Sequence, residues 1–127
     1  MVAGGDSDLI AQRHAQHCLT LAEDAEQELW GPHLRTWLER LETEHENLRA
    51  ALRWSVGRGE TESALRLGAS LRRFWQLRGY FSEGLRWLEG ALSWTSGASA
   101  AVRAKALEAA AYLARDLGDY PRANFSL

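Results

Sequence analysis

The sequence holds one cysteine and two prolines, and its β-branched residues are few. A lone thiol, Cys18, cannot form a disulfide within the chain, and so little Val, Ile and Thr leaves little from which to build strands. No apolar run approaches the roughly 20 residues that a membrane span needs. The opening MVAGGDSD lacks a charged segment followed by an apolar one, so no secretory signal is read. The missing signal and the lone thiol favour the cytoplasm. Nor is there a surplus of one charge: 15 Lys plus Arg against 17 Asp plus Glu leave a formal −2. That balance argues against the strong basic footprint of non-specific nucleic-acid binding and leaves room only for a local basic stripe. What the chain does contain is Ala, Leu, Arg and Glu in quantity, all strong helix formers. Its 127 residues suffice for one domain, and that domain is expected to be all-α.

Glycine and proline punctuate the helical pattern at Gly31-Pro32, Gly57-Arg58-Gly59, Gly79, Thr95-Ser96-Gly97 and Gly118. The punctuation predicts five helices, near 8–30, 33–56, 62–78, 81–94 and 100–117, with Pro121 in the first turn of a truncated sixth. Residues 1–7 read as a flexible N-terminus. Residues 8–127 read as one domain of helix pairs 8–56, 62–94 and 100–127, the last incomplete. Steps of three and four place Ala11, Ala15, Cys18, Ala22, Ala25 and Leu29 on one face of the first helix. They place Leu34, Leu38, Leu41, His45, Leu48 and Leu52 on one face of the second. The third is expected to bury Ala64, Leu67, Leu71, Phe74 and Trp75, and the fourth Leu85, Leu88, Ala91 and Leu92. The fifth is expected to bury Ala104, Leu107, Ala111, Ala114 and Leu117.

Two stretches say nearly the same thing: GYFSEGLRWLEGAL from Gly79 and GDYPRANFSL from Gly118. The glycines stand 39 residues apart, against about 34 for a tetratricopeptide repeat, and the Thr95–Ser99 segment can absorb the excess of about five. Trp75 takes the aromatic place of the first helix, Gly79 the turn, Phe81 the opening of the second, Gly84 the small residue and Ala91-Leu92 the closing pair. Tyr120 and Ala123 match Phe81 and Gly84. Arg72 stands where a small residue is expected, so the repeat is degenerate. The architecture expected is a right-handed α-solenoid of antiparallel helix pairs.

The stretch WLERLETEHENLRAALRWSVGRGETESALRLGASLRRFWQLRGYFSEGLRWLEGAL, residues 37–92, carries a more specific signature. An opening Arg13-His14-Ala15 leads to W-L-x-R-L-E-x-E-x-x-N-L-R-A-A-L from Trp37 to Leu52, then F-W-x-x-x-G from Phe74 to Gly79, then E-G-x-x-W-L from Glu83 to Leu88. This order resembles the tetratricopeptide-like region that follows the NB-ARC-type ATPase in large bacterial transcriptional regulators of the LuxR and SARP-like classes. The resemblance covers roughly residues 9–125. It implies a non-enzymatic sensor or interaction segment, with other domains of a larger regulator as partners. No G-x-x-x-x-G-K-[ST] phosphate loop and no separate helix-turn-helix is found, so direct nucleic-acid contact is not expected. The last apolar face lacks a polar cap, which reads as a chain cut within a repeat, able to self-associate through helix five.

Candidate sites are few. His14 and Cys18 stand four apart, but nothing completes a four-ligand metal set. His45 interrupts a leucine stripe and reads as a core histidine satisfied by a neighbour. Glu42, Glu44 and Glu46 do not share a helical face and accompany no nucleophile. The six tryptophans read as core filling, with Trp30 and Trp94 as the exposed exceptions. No catalytic, cofactor-binding or metal-binding residue is assigned. Transferring the inward positions of tetratricopeptide helices by register gives a concave groove of Arg66, Arg73, Gln76, Lys105, Glu108, Tyr112 and Arg115. Its basic character suits an acidic peptide, which a free-standing adaptor would bind there.

Overall fold

The leucine stripe from Leu34 to Leu52 folds as predicted, but as a bent rod in two pieces. In the computed structural model, which describes the backbone of residues 3–94 and 96–125 and the side chains of residues 7–94 and 96–118, Glu44 interrupts it at φ −90° and ψ 7°. The hydrogen-bond ladder carries on across the bend: the Glu44 N–H donates to Arg40 O at 3.0 Å, and Leu48 N–H to Glu44 O at 2.9 Å. Leu71 bends the next rod in the same way at φ −88° and ψ −1°, its N–H shared between Leu67 O and Gly68 O. Neither position carries proline or glycine, so punctuation offers no sign of either bend. Among the described residues the helices are therefore seven: α1 (Ala3–Glu28), α2 (Leu34–Thr43), α3 (His45–Gly57), α4 (Thr61–Ser70), α5 (Arg72–Arg78), α6 (Phe81–Leu92) and α7 (Ala100–Phe125). No strand occurs among them, and the all-α class stands.

Two boundaries differ from expectation. α1 begins at Ala3, inside the segment read as flexible. α7 runs unbroken through Gly118 and Pro121 to Phe125, so there is no separate sixth helix in that span. Extending an established helix fixes one residue at a time, whereas a new helix must form a costly nucleus. That difference outweighs the local cost of glycine and proline.

Gly79 does end α5 as predicted. It takes φ +76°, a left-handed geometry that costs glycine little. Tyr80 N–H reaches back to Trp75 O at 2.8 Å and Gly79 N–H to Gln76 O at 3.3 Å, the paired bonds of a Schellman cap.

Contacts across the domain order the helices into two rows. α4 is buried on nearly every side, through Thr61, Ala64, Leu65, Leu67, Gly68, Ala69 and Ser70. It lies between α1 and α7, while α3 packs behind α1 and α4, and α6 behind α4 and α7. Within a row the helices run parallel, because contacting side chains advance together along both. Glu23 meets Arg66 and Glu26 meets Ser70, 43 and 44 residues apart; Gln76 meets Asp116, 40 apart; Glu42 meets Tyr80 and His45 meets Glu83, both 38 apart. Between the rows α1 and α3 run antiparallel, since Asp8 meets Arg58 and Cys18 meets the Asn47 carbonyl.

Most residues of the expected faces of α1 to α6 are buried: Ala15, Cys18, Ala22 and Ala25 on α1 with Leu29 just past it, Leu41, His45, Leu48 and Leu52 on α2 and α3, Ala64, Leu67, Leu71, Phe74 and Trp75 along α4 and α5, and Leu88 and Ala91 on α6. Ala11, Leu34, Leu38, Leu85 and Leu92 are half-buried. Gly84 accounts for the aromatic nest between α5 and α6: a Cβ there would lie 2.4 Å from Trp75 Cε3 and 3.0 Å from Leu113 Cδ1. The face of α7 is a correction. Ala106, Ala109 and Leu113 are buried, while Ala104, Ala111 and Ala114 are exposed and Leu107 is 54% exposed. α7 is alanine-rich around most of its circumference, so periodicity alone does not choose a side. Leu113 against Trp75 and Gly84 chooses it.

Candidate functional site

The seven expected groove residues all fall on the face made by α1, α4–α5 and α7, but most of them are already engaged. Arg66 forks onto Glu23 of α1 at 2.9 and 2.8 Å. Lys105 pairs with Glu26 at 2.9 Å, and the Ser70 hydroxyl donates to the same carboxylate. The Arg73 guanidinium lies 3.7 Å from the centroid of the Trp30 ring, which is 64% exposed. Gln76 donates to Asp116 at 2.7 Å and accepts from Arg72 at 3.1 Å. The Tyr112 ring sits between Arg72 and Arg115, at 4.6 and 4.9 Å from its centroid, and Arg115 pairs with Asp116. Glu108, Ala111, Tyr112 and Arg115 line an open cleft of about 280 Å³. The structure thus joins Gln76, Tyr112 and Arg115 through Arg72 and Asp116, and ties Arg66, Lys105 and Arg73 individually to α1 and the turn after it.

Sequence reasoning overlooked the α1 side of this face. Glu23 and Glu26 are three apart on the first helix of the first pair, the position equivalent to those transferred from the third and fifth helices. Applying the same register to α1 finds both. They neutralise the cations opposite, so the face is mixed in charge.

A second polar cluster lies where α3, α5 and α6 meet, built from the motif that carries the family resemblance. His45 is 7% exposed, with Nε2 3.1 Å from Glu83 and Nδ1 3.5 Å from Glu42. Its ring stacks on Tyr80 at 4.8 Å and meets Phe74 edge-on at 5.3 Å. It is the core histidine with a satisfied neighbour that the leucine stripe suggests. Arg49 donates two parallel bonds to Glu83, at 2.8 and 2.7 Å, and a third to Glu46. These bonds, led by those from Arg49, hold the Glu83 carboxyl below the usual carboxylate range despite its burial. The Tyr80 hydroxyl donates to Glu42, which also pairs with Arg78 at 3.3 Å. The hydrogen bond to Glu42 raises the phenol above its ordinary value. The cluster fastens α6 to α2 and α3, and every charge in it is met by an opposite one. A nucleophile is not part of it.

Cys18 is buried, 3.8 Å from His14 Nε2 and 3.6 Å from the Asn47 carbonyl, and burial pushes its thiol up to about 11. No helix among the described residues is long and apolar enough to cross a membrane.

The described residues thus define an all-helical domain of two rows, joined by long-range ion pairs. Two proteins that share its sequence pattern come from Mycobacterium tuberculosis (strain H37Rv) and Mycobacterium bovis, each named "Putative HTH-type transcriptional regulator". Each is 36% identical to this chain over 121 residues, which is 92% of this chain and 14% of the relative. The chain therefore spans about one seventh of the length of the curated relatives it matches. No family model matches it, and no solved structure matches it.

Proposed function

We propose that this chain acts as a non-enzymatic, tetratricopeptide-like interaction module, a helical-repeat segment of a cytoplasmic ATPase-type transcriptional regulator. The observation that carries the reading is the recurring offset between contacting side chains: 43 and 44 residues across α1 and α4, 40 across α5 and α7, and 34 to 38 across the second row. Parallel helices stacked at one sequence interval are what a helical solenoid builds from repeats. The similarity to proteins named as transcriptional regulators, over nearly all of this chain and a small part of theirs, supports the regulator context.

In this reading Arg66, Arg73, Gln76, Lys105, Glu108, Tyr112 and Arg115 line the face presented to a protein partner or to another domain of the same regulator. Because Glu23, Glu26 and Asp116 already answer three of its cations, that face fits a partner of mixed charge. The exposed stripe of Ala104, Leu107, Ala111 and Ala114 is the surface for self-association. Titration of the purified chain with ATP and with labelled duplex DNA tests the module reading, which expects neither to bind. Saturable ATP binding, ATP turnover above background, or DNA retention that survives moderate salt would overturn it.

A further inference from the structure

The second row carries a charge imbalance of its own. Between α3 and α6 opens a cleft of about 470 Å³, lined by Glu46, Arg49, Arg53, Glu83, Arg86 and Trp87. That volume is in the range of side-chain and small-ligand sites, about 300–1,000 Å³. Arg49 is fully engaged, holding Glu83 with two bonds and Glu46 with a third. Arg53 and Arg86 are exposed, and neither has a hydrogen-bond or ion-pair partner among the described residues. Three guanidiniums face two carboxylates, so the cleft carries a net charge of +1. On the other face Arg66, Lys105 and Arg115 are each met by a carboxylate. Trp87 is half-buried in the same wall and offers an apolar surface beside the free guanidiniums.

We propose that the α3–α6 cleft docks an acidic peptide segment of a protein partner, with one side-chain carboxylate between Arg53 and Arg86 and a neighbouring apolar side chain against Trp87. The net +1 of the cleft matches a single carboxylate, and the planar fork of arginine suits that group. Arg49 is a positioning residue here: held by Glu83, it fixes the cleft wall without needing the ligand's charge. The inference rests on the interaction-module reading and adds to it the face used and the chemistry of the occupant.

The test is an NMR titration of the full chain with a short Gly-Ser peptide carrying one Glu-Leu step, beside its Gln-Leu counterpart. The expected result is saturable movement of the Trp87 indole N–H and of the Arg53 and Arg86 Nε–H signals, about tenfold weaker for the Gln-Leu peptide. An R53Q/R86Q variant keeps its helices, since neither side chain has a hydrogen-bond or ion-pair partner among the described residues, and loses the response. Movement of the Trp30 indole in place of Trp87 overturns the proposal and leaves the module reading standing, with the α1–α4–α7 face as its site. Absence of any movement at millimolar peptide overturns it as well, as does an equal response to inorganic phosphate, which makes the cleft a general anion site. The ATP and DNA titration judges the module reading separately in each case.

Discussion

Two glycines of α6 are expected to respond to the same substitution in opposite directions. At Gly84 an alanine Cβ would lie 2.4 Å from Trp75 Cε3, 2.6 Å from Cδ2 and 3.0 Å from Leu113 Cδ1. Carbon atoms prefer about 3.5–4.0 Å, so the overlap exceeds an ångström. Trp75 is 1% exposed and Leu113 fully buried, so neither has room to withdraw. Overpacking of this kind costs about 1–3 kcal/mol, against about 0.5–1 kcal/mol gained by replacing glycine with alanine inside a helix. Gly84→Ala should therefore lose about 0.5–2 kcal/mol. At Gly90, on the same helix, a Cβ meets nothing within 4 Å, so Gly90→Ala should gain about 0.5–1 kcal/mol from the helical term alone. Urea unfolding at constant m-value reads both as shifts in midpoint of opposite sign. If Gly84→Ala is as stable as the parent, Trp75 does not rest on the α6 backbone and the nest joining α5, α6 and α7 is wrong. Failure of Gly90→Ala to stabilise would instead refute the open surface assigned to that turn.

Other measurements probe the polar clusters and the exposed stripe. Glu83 has a depressed folded pKa, so its contribution is present above the unfolded carboxylate value, near about 4.3, and is lost as pH falls through the lower folded value. The fall in stability on acidification below that point should be shallower in Glu83→Gln than in the parent, as read by unfolding at stepped pH. An equal slope would show that the Arg49 bonds do not hold the carboxylate. Removing the Arg66 partner with Glu23→Gln should cost no more than about 1 kcal/mol, because the pair is partly exposed; a larger loss by urea unfolding would show the pair to be structural. Leu107→Glu should leave the unfolding midpoint within about 0.5 kcal/mol of the parent and remove any concentration-dependent association seen by sedimentation. A large loss of stability would show that Leu107 is not on the open face. Cys18, with its thiol at about 11 and its sulfur buried, should react with a disulfide reagent at mildly alkaline pH only as fast as the domain opens. Labelling at the rate of a free thiol would contradict that burial.

Much of this architecture was readable because its signals are local. The α1 stripe of Ala, Cys and Leu and the α2–α3 stripe of Leu with His45 contrast sharply with the charged residues beside them, and both faces are buried as the spacing implied. Gly79 announced its turn because so few residues accept a positive φ. Gly84 was placed as the small residue of the repeat, and the structure supplies the reason in the Trp75 ring. Where the signal lost contrast the reading failed: α7 carries alanines around most of its circumference, and the face chosen from the sequence is the exposed one. The candidate groove residues share one face, but the charge of that face was misjudged. Arg66 and Lys105 meet Glu23 and Glu26, which are 43 and 79 residues away, and among 17 acidic residues no spacing rule selects those partners.

The sequence alone determined an all-α chain, the buried stripes of its early helices and the turn at Gly79, because periodicity and backbone preference act over a few residues. Tertiary structure decided which side of α7 faces the core, that α7 continues past Gly118 and Pro121, and which arginines are satisfied. Those outcomes depend on what packs against each helix from tens of residues away. Leu113 has its place because Trp75 and Gly84 leave one, and Arg53 and Arg86 lack an ion-pair partner among the described residues while both carboxylates of their cleft are held by Arg49.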